Sequence, residues 1–235
     1  ISDPEGLANG KPEAFNGLVE GLVMSGLAMQ KYRISSRPAS GAGHQFSHVW
    51  EMEHLGMDQE PPLTHGFKVG LGTISVLALW EKVLEHDFTT LDVDTAVAKW
   101  PTAEEMEAKV RANFTGDMLE PAVKQTMDKY LDADALRERL EVVRSKWPTI
   151  QERCRAQVMP AARVEKIIQA VGGIYHPAQI GLTRERFHDT YYRCQMIRSR
   201  YTLLDLLVET GTISDFVEPL FESDGFWGQR PWPQD

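Results

Sequence analysis

His44 and His48 stand four residues apart in the run Arg37-Pro-Ala-Ser-Gly-Ala-Gly-His-Gln-Phe-Ser-His-Val-Trp-Glu51, and His65 follows in Thr64-His-Gly-Phe-Lys-Val-Gly-Leu-Gly-Thr73. On a helix, residues at i and i+4 project from one face. Imidazole is the side chain best tuned for proton transfer near neutral pH and a common ligand for borderline divalent metals. Three imidazoles in two neighbouring runs could therefore share one metal or one substrate. A lone i, i+4 pair on an amphipathic helix would more simply be solvated. Two features favour a site: Ser40, Gly41 and Gly43 precede the pair, where a small or absent side chain lets a backbone approach a ligand closely, and Gly66 follows His65 at once.

Helical elements must carry these residues. Ser40 or Gly41 is expected to begin a helix running to about His54 and stopping near Gly56. The turn Gln59-Glu-Pro-Pro62 separates it from His65–Glu85, whose apolar residues (Leu71, Ile74, Leu77, Trp80, Val83 among them) predict a central buried helix with His65 at its start. Upstream, Pro12 to Arg33 has a broad apolar stripe, with Phe15, Val19, Leu22 and Val23 on it and Pro12 in the first turn. Gly17, Gly21 and Gly26 interrupt it, each costing roughly 1 kcal/mol against Ala, so close helix packing is expected to compensate. After Asp87 the predicted helices are shorter and more charged, punctuated by Pro101, Pro121, Pro148 and Pro160. Thr102 and Thr183 are N-cap candidates. Ala133–Ser145 reads as an amphipathic surface helix, Pro160–Val171 as another, and Phe187–Glu209 as one long helix ended by Gly211. Residues 225–235 read as an irregular tail. There is no convincing alternating strand, repeat or phosphate-binding glycine loop. The expected fold is all-α, a multi-helix bundle forming a single domain over 1–235.

Composition bounds the function classes. The chain has 235 residues, 42% hydrophobic and 25% charged, which suits a globular protein. A net charge of −9 argues against nucleic acid or an anionic membrane as partner, while leaving room for a local basic pocket. No run reaches the ~20 apolar residues of a membrane span, and no secretory signal is visible. Two cysteines, Cys154 and Cys194, without metal-binding spacing read as buried small hydrophobes in a reducing, cytoplasmic setting. Ile1 is not a natural initiator, so the chain is expected to be processed or a piece of something longer.

The runs Ser36-Arg-Pro-Ala-Ser-Gly-Ala-Gly-His-Gln-Phe-Ser-His48 and His65-Gly-Phe-Lys-Val-Gly-Leu-Gly-Thr73 resemble the sn-glycerol-1-phosphate dehydrogenases, within the superfamily of iron-type alcohol dehydrogenases and dehydroquinate synthases. Met196-Ile-Arg-Ser-Arg-Tyr-Thr-Leu-Leu-Asp205 and His176-Pro-Ala-Gln-Ile-Gly-Leu182 look like the same family's C-terminal part. The likeness covers most of the chain and is looser between Leu91 and Arg163. Such enzymes join an N-terminal NAD(P)-binding domain to a C-terminal helical domain holding a divalent metal, and this chain resembles the helical domain alone. The resemblance implies His44 and His65 as metal ligands and His48 as a proton-relaying or substrate-facing catalytic residue. The metal would be zinc in the first place, with iron or nickel also compatible with such ligands. NAD(P) would be bound by the domain not present here. The implied substrate pair is dihydroxyacetone phosphate and sn-glycerol 1-phosphate, with a related glycerol dehydrogenase or dehydroquinate synthase-like activity as the alternative.

Ser40, Arg37 and Lys68, which flank the histidine runs, are the candidates for binding a small phosphorylated substrate. Arg198 and Arg200 read instead as structural, in buried ion pairs with acids such as Asp205. The family's third ligand is an aspartate in a Gly-Asp-Leu-type run upstream. Here Asp3 is the sole aspartate before Arg37 and sits in Ile-Ser-Asp-Pro, and Gly43 stands where the family commonly has an acid. The chain by itself is therefore expected not to turn over. A non-catalytic module of the same shape is the second reading. A large exposed apolar face is expected where a missing domain would dock, making a homo-oligomer conceivable.

Overall fold

The computed structural model describes residues 3–32 and 35–233. Among these there is no strand, and the all-α expectation holds. Twelve α-helices follow in order: α1 (Pro4–Ala8), α2 (Pro12–Lys31), α3 (Ala42–Met52), α4 (His65–Glu85), α5 (Val93–Ala98), α6 (Ala103–Asn113), α7 (Leu119–Met127), α8 (Ala133–Arg155), α9 (Ala161–Ala170), α10 (Arg184–Arg193), α11 (Leu203–Glu209) and α12 (Ile213–Phe221). None is long and apolar enough to cross a membrane.

The helix starts follow local chemistry. Thr64 caps α4 by accepting from the Phe67 N–H, and Thr183 caps α10 through the Arg186 N–H. Thr102 and Glu105 form a reciprocal capping box on α6. Asp3 caps α1, its Oδ1 accepting from the Gly6 N–H at 2.7 Å.

α4 is the central element, with Leu71, Ile74, Leu79 and Val83 wholly buried. α3 packs along it, and α8, α9 and α12 also contact it. The α3–α4 approach depends on two glycines. A Cβ on Gly72 would lie 2.3 Å from the Gly43 carbonyl oxygen, and one on Gly43 would lie 3.1 Å from the Gly72 backbone. Gly43 thus admits a neighbouring helix, where the sequence suggested close approach to a ligand. Phe46, Trp50, Phe187, Tyr191 and Trp227 fill the space between α3, α10 and the C-terminal turns. Their polar atoms are satisfied: Trp50 Nε1 donates to Thr190 Oγ1 at 3.1 Å and Trp227 Nε1 to the Tyr191 hydroxyl at 2.8 Å.

Three expectations about the helices are corrected. The glycines of α2 are not packed: an added Cβ at Gly17, Gly21 or Gly26 would meet nothing within 4 Å, and α2 buries no residue. Phe15, Val19, Leu22, Val23, Met24 and Leu27 are exposed along it, a large apolar face. Arg33, the expected end of that run, lies outside the described residues. Secondly, Pro148 does not end α8, which continues to Arg155. Past the proline, Gln151 Nε2 and Arg155 Nη2 donate to the Leu84 carbonyl oxygen at the end of α4, at 2.9 and 2.5 Å, and hold the downstream turns in place. Thirdly, the long Phe187–Glu209 helix is broken. α10 gives way to a 3-10 turn over Cys194–Ile197, Arg198 is extended (φ −145°, ψ 140°), and Thr202 with Asp205 forms a capping box that starts α11. The tail, described to Pro233, is irregular as expected, and Trp227 anchors it, fully buried. Cys194 is buried as expected, whereas Cys154 is only half-buried; both are free thiols.

Candidate metal centre

α3 divides its residues between two jobs. Ala42, Gln45, Phe46, Val49 and Trp50 are buried and fix the rotation of the helix. That rotation turns His44, His48 and Glu51, at i, i+4 and i+7, toward the first turn of α4. His65 meets them there. The ring centroids lie 6.3 Å apart for His44 and His48, 5.5 Å for His44 and His65, and 5.6 Å for His48 and His65. All three histidines singled out from the sequence therefore converge.

Glu51 joins them, a residue that sequence reasoning passed over. Its Oε1 is 2.7 Å from His65 Nδ1 and its Oε2 is 3.2 Å from His48 Nδ1. The signal was present in the spacing, since Glu51 continues the face of His44 and His48 by one more turn. One donor atom from each of His48, Glu51 and His65 falls within a mutual distance of 4.8 Å, so small side-chain motions bring them around one ion. A carboxylate can only accept hydrogen bonds, so each imidazole facing it presents a proton on Nδ1 and directs Nε2 away from the acid. In metal sites an acid so placed orients the ligating imidazoles from behind. Glu51 can equally turn one oxygen toward the ion itself, supplying the carboxylate that Asp3 does not: Asp3 is committed to capping α1. The donor set, nitrogen with one carboxylate, suits a borderline divalent cation.

The electrostatics favour neutral ligands. Burial lowers the His44 pKa, and the neighbouring His65, His48 and Arg200 lower it further. Burial likewise lowers that of His48, assisted by Arg198 and only partly opposed by Glu51. Burial pushes the Glu51 carboxyl up, but the hydrogen bonds and charges of His65 and His48 outweigh it and hold it below the usual carboxylate range. Lys68, one turn beyond His65, is 1% exposed rather than a solvated charge. Burial depresses its ammonium, and the Glu51 charge partly restores it. Ser40 and Arg37 lie at the entry to α3, Ser40 half-buried and Arg37 exposed. A cleft of about 490 Å³ opens beside His44, walled by Gly41, Gly43, Trp80, Tyr201 and Thr202 among others.

Arg198 and Arg200 do not pair with Asp205 as the sequence suggested. Lys129 takes that acid, its Nζ lying 2.5 Å from Asp205 Oδ1 in a largely buried pair. The other Asp205 oxygen caps the Thr202 N–H at 2.7 Å.

No protein-family model matches the chain, and no solved structure matches it. Among curated proteins, the chain is 28% identical over 212 residues to a Geobacillus thermodenitrificans protein named glycerol-1-phosphate dehydrogenase, NAD(P)+, a match covering 89% of the chain and 42% of that protein. Identity rises to 50% over 64 residues with the identically named protein of Halalkalibacterium halodurans, covering 27% of the chain and 16% of the relative. It is 33% over 136 residues with that of Archaeoglobus fulgidus, 57% of the chain and 34% of the relative. The chain spans less than half the length of the curated relatives it matches. Over most of its length it is similar to proteins named glycerol-1-phosphate dehydrogenase.

Proposed function

We propose that this chain is the C-terminal, metal- and substrate-binding helical part of an NAD(P)-dependent sn-glycerol-1-phosphate dehydrogenase-like oxidoreductase. The observation that carries the reading is the convergence of His44, His48, His65 and Glu51 across α3 and α4, within a chain similar to proteins of that name. In this reading His44 and His65 hold a divalent cation, zinc before iron or nickel. Bound there, the cation supplies Lewis-acid stabilisation of oxyanion character on a substrate carbonyl.

The chain's own residues do the rest. Glu51 orients the His65 and His48 rings through their Nδ1 protons. His48, kept neutral by burial, moves the proton to and from the substrate oxygen at Nε2. Ser40, Arg37 and Lys68 face the phosphorylated end of the substrate. Lys68, 1% exposed and one turn beyond His65, brings an ammonium whose charge Glu51 favours. Hydride chemistry belongs to the nucleotide-binding part of a longer protein, which would act in the cytoplasm and cover the apolar face of α2. The 235-residue chain alone is then inactive.

The test uses the longer protein and follows NAD(P)H oxidation with dihydroxyacetone phosphate, with unphosphorylated dihydroxyacetone, and with each of them after His48→Ala. Turnover that requires the phosphate and falls about 100-fold or more without His48 is the expected result. Turnover favouring the unphosphorylated ketone points to the glycerol dehydrogenase alternative. The second reading, a non-catalytic module, draws on the commitment of Asp3 to capping α1. It is favoured if the longer protein turns over neither ketone.

A further inference from the structure

We propose that Arg198 and Arg200, together with Arg37, form a binding site for a phosphomonoester dianion beside the histidine cluster. The proposal rests on the phosphorylated-substrate reading above and names the residues that would hold the phosphate. Its starting point is the pair of guanidiniums left without an acid. Among the described residues, Arg198 donates to its neighbour's carbonyl, Ile197 O, at 3.2 Å. Arg200 donates to the Ser40 carbonyl at 3.1 Å and to Ser36 Oγ at 2.7 Å. Among the described residues no carboxylate lies within ion-pair distance of either, whereas Lys129, Arg139, Arg186, Arg193 and Arg230 all have one. A guanidinium carries five N–H donors, so most donors on both side chains are unused.

The break between α10 and α11 creates this arrangement. Within one continuous helix, residues two apart point to different sides. Here Arg198 is extended and the chain bends at Ser199, so both arginines sit on one short loop between the two helices. Arg200 then reaches across to Ser40 and Ser36 and meets the segment carrying Arg37. Both side chains are half-buried. Arg200 feels both other cations: burial lowers its pKa, and Arg198 and then Arg37 lower it further. Their field also reaches the histidines, Arg198 acting on His48 and Arg200 on His44. Gathering uncompensated positive charge costs stability in any fold. It is the more telling in a chain of net charge −9, where acids outnumber bases. A dianion at this place relieves the repulsion, and planar guanidinium forks match the oxygens of a phosphate bidentately. The uncapped start of α3, where Gly41 offers no side-chain acceptor, adds backbone N–H groups of the same polarity. A small phosphorylated ketone held here would extend its carbonyl end toward His48 and His65.

Binding of inorganic phosphate to the full 235-residue chain, followed by calorimetry and phosphorus NMR at constant ionic strength with acetate as control, tests the site. Arg198→Gln is the principal variant, because its one hydrogen bond is to its own neighbour and the fold does not need it. Arg200→Gln also releases Ser40 and is read beside circular dichroism. Arg153→Gln, an exposed arginine elsewhere, is the charge control. Saturable phosphate binding that weakens about tenfold or more in Arg198→Gln, is unchanged in Arg153→Gln and is not mimicked by acetate is the expected result. No saturable binding, or equal loss in Arg198→Gln and Arg153→Gln, overturns the proposal. Metal content measured on the same samples separates the two claims. Phosphate binding lost in Arg198→Gln with no metal bound keeps the anion site while sinking the dehydrogenase reading. Metal bound with phosphate unaffected by Arg198→Gln does the reverse.

Discussion

Glu51 Oε1 lies 2.7 Å from His65 Nδ1, a contact that ties the middle of the His44–His48 helix to the first residue of the next one. The same carboxylate reaches His48 Nδ1 at 3.2 Å with its other oxygen. One side chain thereby orients two imidazoles on different helices. The relationship joins two residues that are 14 positions apart in sequence.

Glu51→Gln should keep the shape of the cluster and weaken it as a metal site. The amide can accept a hydrogen bond from one ring but no longer supplies the negative charge. Loss of an orienting carboxylate typically costs about 10–100-fold in metal affinity. Competition titration with a zinc chelator measures this. An unchanged affinity would mean that Glu51 serves only to join the helices.

Gly72→Ala should damage fold and site together. The new methyl would sit 2.3 Å from the Gly43 carbonyl oxygen, so α3 and α4 must separate. Overpacking of this kind costs about 1–3 kcal/mol. A lowered midpoint in urea is expected, with metal affinity falling because His65 moves from His44 and His48. Gly17→Ala in α2, where a Cβ meets nothing, should instead be neutral or mildly stabilising.

The metal-free chain should lose stability as the pH falls through the lower end of the histidine range. His44, His48 and His176 all have folded pKa values lowered chiefly by burial. The unfolded chain therefore binds more protons than the folded one below about pH 6.5, the ordinary imidazole value. Stability from these groups is fully present above that value and declines as the pH drops toward the folded pKa values. Thermal melts between pH 8 and pH 5 read the trend. Added zinc should oppose it at the acid end, because a ligated imidazole resists protonation. A melting temperature that rises on acidification would contradict the assignment.

Lys129→Met should be strongly destabilising, by about 3–5 kcal/mol. It would strand the Asp205 carboxylate, whose side chain is only 5% exposed and whose partner is Lys129 at 2.5 Å. The double variant Lys129→Met/Asp205→Leu should recover part of the loss in urea titrations. Recovery will be incomplete, because Asp205 also caps Thr202.

Much of this was readable from residue order. The periodicity of His65–Glu85 gave the buried helix with its bounds, and Thr102 and Thr183 marked helix starts because a hydroxyl accepting from a backbone N–H is a local event. The three histidines were legible from spacing. Glu51 was not noticed because an acid late in an amphipathic helix looks like a solvated charge until the next helix is placed against it. Pro148 and the run Arg198–Thr202 misled for opposite reasons. Tertiary hydrogen bonds from Gln151 and Arg155 carry a helix past a proline, and a capping box at Thr202 interrupts an otherwise helical pattern. The partner of Asp205 depended on which cation the fold delivered, and Lys129, 76 residues away, is beyond any local rule.

The most direct measurement is the metal content of the purified 235-residue chain by elemental mass spectrometry, beside His44→Ala/His65→Ala and His48→Ala. The account predicts near-stoichiometric divalent metal in the parent chain, its loss in the double variant and its retention in His48→Ala. Loss in His48→Ala with retention in a His44→Ala single variant would exchange the roles of those two residues. Absence of metal from the parent chain, even after dialysis against zinc, would contradict the claim that α3 and α4 carry a metal site.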